Sequence, residues 1–167
     1  MDTQKLCVYS EIMSPLVAYV DGGSRGSRGP AGIGVVVEHP GGRRVEISEI
    51  IESGDNNYAE YAALLAALQY ASTYQYSQLC VFSDSEVVVK QISGLYSCQS
   101  SGLRDIYESC KSLIDAFDQF TIRHIRRADN READRLANAA MDRATKMKSR
   151  LPRPSLLPVP AAASLEI

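Results

Sequence analysis

The sequence predicts an α/β domain built on a mixed sheet flanked by helices. Three observations predict it. Short β-branched or alternating runs fill residues 16–52. The apolar pattern switches to a helical period at residue 57, and strands then alternate with helices to residue 147. A strand–helix–strand crossover is parallel and right-handed, so an antiparallel opening followed by crossovers gives a mixed sheet. The 167 residues suffice for one domain with short tails.

Leu16–Val20 (LVAYV) is an unbroken apolar run, the pattern of a buried strand. The DGGSRGSRGPAG that follows holds five glycines and a proline and predicts a turn. Ile33–Glu38 is β-branched and stops at HPGG, a second turn. Arg44–Glu52 sets Val45, Ile47 and Ile50 among polar residues, the alternation of a half-exposed strand. These three strands predict an antiparallel meander. Asn57–Ser72 is apolar nearly all round, which predicts a well-buried helix. Leu79–Phe82 reads as a short strand, Ser85–Ile92 as a short helix stopped by Gly94, Gly102–Phe117 as an amphipathic helix and Phe120–Ile125 as a strand. In Asp129–Met147, residues Ala133, Leu136, Ala137, Ala140, Met141 and Ala144 recur at helical spacing, and Asp129 with Glu132 has the spacing of a capping box. The order is βββαβααβα. The domain is expected over residues 15–147, after an N-terminal extension of residues 1–14. Four prolines after residue 148 remove amide donors that a helix or inner strand needs. Residues 148–167 are therefore expected to form a Pro-rich, disordered tail.

Composition narrows the function classes. The formal net charge is −2, and residues 1–142 carry 13 Lys+Arg against 19 Asp+Glu. A nucleic-acid ligand would have to be held through local patches or metal ions rather than a basic field. The four cysteines, Cys7, Cys80, Cys98 and Cys110, form no C-x-x-C pair, and only two histidines accompany them, which argues against zinc. No secretory segment opens the chain, and no apolar run reaches the roughly 18 residues of a membrane span. A cytoplasmic monomer with reduced thiols and no membrane contact is expected.

Four of the 20 acidic residues sit where charge is costly. Asp21 follows LVAYV, and Asp84 follows LCVF, each at the expected carboxyl end of an inner strand, where α/β sheets place ligand sites. Glu60 lies in the first turn of the most apolar helix, and Asp134 beside the apolar stripe of the last one. Each also has an ordinary reading: a turn residue for Asp21, a helix cap for Asp84, a dipole partner for Glu60 and an arginine partner for Asp134. Four acids converging on one sheet edge without matching bases would repel one another unless cations sat among them. Hard oxygen ligands select Mg²⁺ or Mn²⁺, and two such ions about 3.5–4 Å apart clamp a phosphodiester for hydrolysis.

The segments YVDGGSRG at 19–26, GPAGIG at 29–34, NNYAEYAAL at 56–64, FSDSEVVVKQISG at 82–94 and NREADRLANAAMD at 130–142 resemble the ribonuclease H type 1 family, most closely its compact prokaryotic branch. The resemblance covers residues 16–142. It implies a ribonuclease H-like fold, with a five-stranded mixed sheet in the order 3-2-1-4-5 and strand 2 antiparallel. It implies an endonuclease that cuts the RNA strand of RNA–DNA hybrids, leaving 5′-phosphate and 3′-hydroxyl ends. By the same resemblance Asp21 bridges two ions, Glu60 and Asp84 complete the one near the leaving oxygen, and Asp134 holds the one that activates water.

Substrate contacts implied by the resemblance are Gly22, Gly23, Ser24 and Gly26 at the RNA backbone, Asn56 and Asn57 in the minor groove, and Glu86 and Asn130 around them; Arg126 and Arg127 read either as contacts to substrate or product phosphate or as a solvated strand end. Amides both donate to and accept from 2′-hydroxyls, which distinguish RNA from DNA. Asn56 also reads as a helix N-cap. The sequence departs from the family at Ser27-Arg28, where relatives often carry Asn-Pro, and at Glu86, where many carry glutamine. It also has no lysine between Gly94 and Gly102, so phosphate affinity is expected to be modest. His124 lies inside an alternating strand and reads as structural rather than as a proton shuttle. The alternative is a module on the same fold that binds hybrid or double-stranded RNA with little or no turnover.

Overall fold

The computed structural model describes residues 14–52 and 54–150. Most of the expected N-terminal extension, Cys7 and the tail beyond Arg150 lie outside the described residues. Five strands, β1 (Leu16–Ser24), β2 (Ala31–Glu38), β3 (Arg44–Ile51), β4 (Gln78–Ser83) and β5 (Gln119–His124), form one sheet in the order β3-β2-β1-β4-β5. β2 is antiparallel to β1 and β3, while β4 is parallel to β1 and β5. The helices among the described residues are α1 (Asn56–Thr73), α2 (Glu86–Ile92), α3 (Ser101–Ile114) and α4 (Arg131–Arg150), with a 3₁₀ turn at Arg127–Asp129. The meander, the parallel crossovers and the order of elements are those the sequence predicts.

Strand alternation divides the faces. Leu16, Ala18 and Val20 of β1 join Ile33, Val35 and Val37 of β2 in the main core, beneath Ala63, Leu64, Ala67 and Leu68 of α1 and Leu103 and Ile106 of α3. The opposite face of β1–β3 is covered by α4 through Ala133, Leu136, Ala137, Ala140 and Met141.

Two glycines let these helices come close. A Cβ on Gly22 would lie 2.1 Å from the Ala59 carbonyl oxygen of α1, and one on Gly34 would lie 2.0 Å from that of Ala133 in α4. Both distances are far inside van der Waals contact, so only glycine permits this packing.

Several boundaries differ from the expected ones. β1 does not stop at Val20 but runs to Ser24, paired with Ala31–Gly34 of β2. Its glycines are strand residues, and Gly22 is required by the approach of α1 rather than by a turn. Asp21 therefore sits within a strand, yet the parallel pairing of β1 with β4 ends one residue earlier, at Val20–Ser83. The cap of α1 is Asp55, whose side chain accepts the Tyr58 amide at 2.8 Å, so Asn56 is the first helical residue and not the cap. The cap of α2 is Ser85, not Asp84. The expected capping box does not form: Asp129 lies in the 3₁₀ turn paired with Arg126, and Glu132 is paired with Arg44. No helix of the described residues is long and apolar enough to cross a membrane.

Candidate active site

Where β1 parts from β4, the sheet opens into a cleft of about 250 Å³ lined by Asp21, Gly22, Gly23, Ser24, Arg25, Asn56, Glu60, Asp84, Arg127, Asp134, Ala137, Asn138 and Met141. The four singled-out acids reach it from four places: mid-β1, the second turn of α1 rather than the expected first, the residue after β4 and the first turn of α4. The two close glycine contacts lower α1 and α4 onto the sheet and so bring Glu60 and Asp134 toward Asp21.

The electrostatics are those of four crowded carboxylates, offset in part by Arg127. Burial, then the facing carboxylates of Asp84, Asp134 and Glu60, push the Asp21 carboxyl up to about 8, against the pull of the Gly22 amide. Burial also raises Glu60, opposed by the Ser85 hydroxyl, with Asp84 raising it further. Each remaining carboxylate is turned to a protein donor. Glu60 accepts from the Ser85 hydroxyl at 2.5 Å and from the Asn56 amide at 3.2 Å. Asp84 accepts from the Asn130 amide at 3.2 Å, and Asp134 from Arg127 Nη2 at 3.0 Å.

As they stand, no three His, Cys, Asp or Glu side chains of the described residues are drawn close enough to hold a metal ion. The fit to a divalent cation is one of donor chemistry: hard oxygens from four elements, mutually repelling, in a polar cleft.

Among the residues expected to touch substrate, Gly22, Gly23, Ser24, Asn56 and Arg127 line the cleft. Gly26 lies on the exposed β1–β2 turn, Asn57 is exposed on α1, and Arg126 is held by Asp129. Glu86 is bound to Lys90 at 2.5 Å, which holds its carboxyl below the usual range. Asn130 is only 2% exposed, and its amide nitrogen is spent on the Val20 carbonyl oxygen, at 2.9 Å, and on Asp84. His124 ends β5 on the surface, outside the cleft. The sequence reading missed Ser85, Arg25 and Asn138. Ser85 was legible as a cap hydroxyl beside an acid, and Asn138 as the residue one turn beyond Asp134.

Comparison with known proteins bears on this arrangement. The family model described as reverse transcriptase-like matches residues 19–140. Ribonuclease HI of Halobacterium salinarum is 41% identical over 126 residues, which are 75% of this chain and 63% of that protein. The crystal structure of RNase H1 from the same archaeon matches with a TM-score of 0.73 at 38% identity, covering 78% of this chain and 99% of that one. The chain belongs to the ribonuclease H family. It is also similar to LC11-RNase H1 in complex with an RNA/DNA hybrid, at 34% identity and a TM-score of 0.72, covering 78% of this chain and 99% of that one. The chain spans under two thirds of the length of the curated Halobacterium ribonuclease H.

Proposed function

We propose that the chain is a metal-dependent endonuclease that hydrolyses the RNA strand of RNA–DNA hybrids, acting as a cytoplasmic monomer and leaving 5′-phosphate and 3′-hydroxyl ends. The observation that carries this reading is the convergence of Asp21, Glu60, Asp84 and Asp134 on one cleft, with Asp21 pushed up to about 8. The likeness to a ribonuclease H1 that binds an RNA/DNA hybrid supports the substrate class.

These four carboxylates are the residues that would hold two Mg²⁺ or Mn²⁺ ions, which when bound supply charge stabilisation and an activated water for in-line displacement. The rest of the chain's work is positioning. Asn130 joins the Val20 carbonyl to Asp84 and so fixes one acid relative to the strand that carries another. Ser85 orients Glu60 while capping α2 through the Val88 amide at 3.3 Å. Gly22 and Gly23 line the cleft wall, and Ser24 and the Asn56 amide offer donors and acceptors to 2′-hydroxyls. Arg127, an exposed cation of the cleft, would meet a phosphate. Such contacts read hydroxyls and phosphates rather than bases, so cutting should be nearly sequence-independent.

The test uses end-labelled RNA–DNA hybrid with Mg²⁺, Mn²⁺ or EDTA, beside double-stranded RNA, double-stranded DNA and an Asp84→Asn variant. Metal-dependent cutting of the hybrid's RNA strand alone, lost in the variant, is expected. A folded protein that binds hybrid without cutting it would replace the nuclease reading with that of a binding module.

A further inference from the structure

Arg127 occupies an unusual place in the cleft. It begins the 3₁₀ turn between β5 and α4, a turn braced by Arg126 on Asp129 and by Asn130 on Val20. Its side chain is 78% exposed, and its one side-chain hydrogen bond among the described residues is to Asp134, itself 30% exposed. Its charge also acts on Asp21 and Asp84. The guanidinium is thus a permanent cation, on a flexible arm, resting on one of four crowded carboxylates. A tethered cation is present at a high effective concentration, so an incoming ion must displace it rather than fill free space.

We propose that Arg127 is a built-in counter-cation of the cleft: it neutralises Asp134 while no divalent ion is bound, competes with that ion for the same carboxylate, and is released toward substrate phosphate when the ion takes its place. The inference rests on the reading that the four carboxylates hold divalent cations. Its consequence is that ion and arginine cannot both sit on Asp134 without repelling each other, so loading the ion frees a phosphate-binding arm.

The experiment measures ion binding by the full chain without nucleic acid. Free Mn²⁺ is counted by electron paramagnetic resonance, and Mg²⁺ binding is followed by calorimetry. The proteins are wild type, Arg127→Gln, Arg127→Lys and Arg126→Gln, with melting curves to verify folding. Arg127→Gln should bind Mn²⁺ about two- to fivefold more tightly, the factor an exposed ion pair is worth. Arg127→Lys should stay near wild type, because the cation is restored. Arg126→Gln should also stay near wild type, because that guanidinium is committed to Asp129 outside the cleft. Unchanged or weaker binding by Arg127→Gln overturns the inference, as does equal tightening in Arg126→Gln, which would report bulk charge. Hybrid cutting by a wild type whose ion affinity is blind to Arg127 overturns this inference alone. Absence of ion binding in all four proteins overturns both it and the metal assignment beneath it.

Discussion

Asp21 is the residue on which the cleft's electrostatics converge, and its proton gives the metal-free protein a pH signature. The carboxyl is raised from an ordinary 3.8 to about 8 by burial and by three neighbouring acids. The native state therefore keeps a proton that the unfolded chain releases. This contribution to stability is complete below the unfolded value of 3.8 and is lost as pH rises through about 8. In EDTA, wild type should melt lower at about pH 9 than at about pH 5, and Asp21→Asn should remove much of that fall. Melting curves of the two proteins across this range check it, and parallel curves would refute it. The four acids were legible in the sequence because each breaks a local rule: charge after an inner strand or on an apolar helix. The hydroxyl and amides that orient them were less so. Whether Asp84 or Ser85 caps α2, and whether Asp55 or Asn56 caps α1, depends on backbone angles that adjacent capping residues do not reveal.

At the scale of elements, the site is set by how closely helices lie on the sheet. Gly34 is opposite Asp21 in the β1–β2 ladder, and its missing side chain admits the first turn of α4. Gly34→Ala should cost about 1–3 kcal/mol through overpacking, because the atoms in the way are the backbone of Ala133 and Ala137. It should also lower hybrid cutting more than the loss of folded protein explains, since α4 carries Asp134. A denaturant midpoint and a cutting rate on the same variant separate the two effects. At the far end of the sheet, His39 follows β2 and joins it to α1 and the α1–β4 connection: one ring nitrogen is 2.7 Å from the Tyr76 hydroxyl and the other 2.8 Å from that of Tyr70. Burial, then Arg43, lowers its pKa. The native state thus prefers the neutral ring; stability is present above the unfolded value of 6.5 and is lost as pH falls below it. His39→Leu should cost about 1–3 kcal/mol at neutral pH by removing both ring hydrogen bonds, and should flatten the slope on the acid side of 6.5 in urea titrations. Strand order and helix order followed from apolar periodicity. The extra length of β1 did not, because Gly-Gly-Ser reads as a turn until the helix that requires Gly22 is in place.

Across the described residues, six of the cations are committed to ion pairs. Arg25 is held by Asp142, Arg44 and Arg135 bond Glu46 and approach Glu132, Arg126 is on Asp129, Arg127 on Asp134 and Lys90 on Glu86. Arg143 donates to the Ser48 carbonyl at 2.6 Å and to its hydroxyl at 3.1 Å, which ties α4 to β3. Among the described residues, Arg25 and Arg127 combine a place in the cleft with a side chain exposed enough to meet a phosphate. With the net charge at −2, no broad basic field adds to them. Hybrid binding by an Asp84→Asn variant should therefore weaken gently with salt, with a slope of log affinity on log salt of about −2, one unit for each phosphate neutralised. Fluorescence anisotropy from about 50 to about 200 mM KCl measures that slope. A slope steeper than about −5 would mean that cations outside the cleft engage the duplex. Lys146, Lys148, Arg150 and Arg153 form one basic run in sequence, and the same titration on a chain ending at residue 148 would divide them. If the steep slope persists in the shortened chain, the contacts lie on the folded domain, and the assignment of phosphate binding to Arg25 and Arg127 alone is wrong.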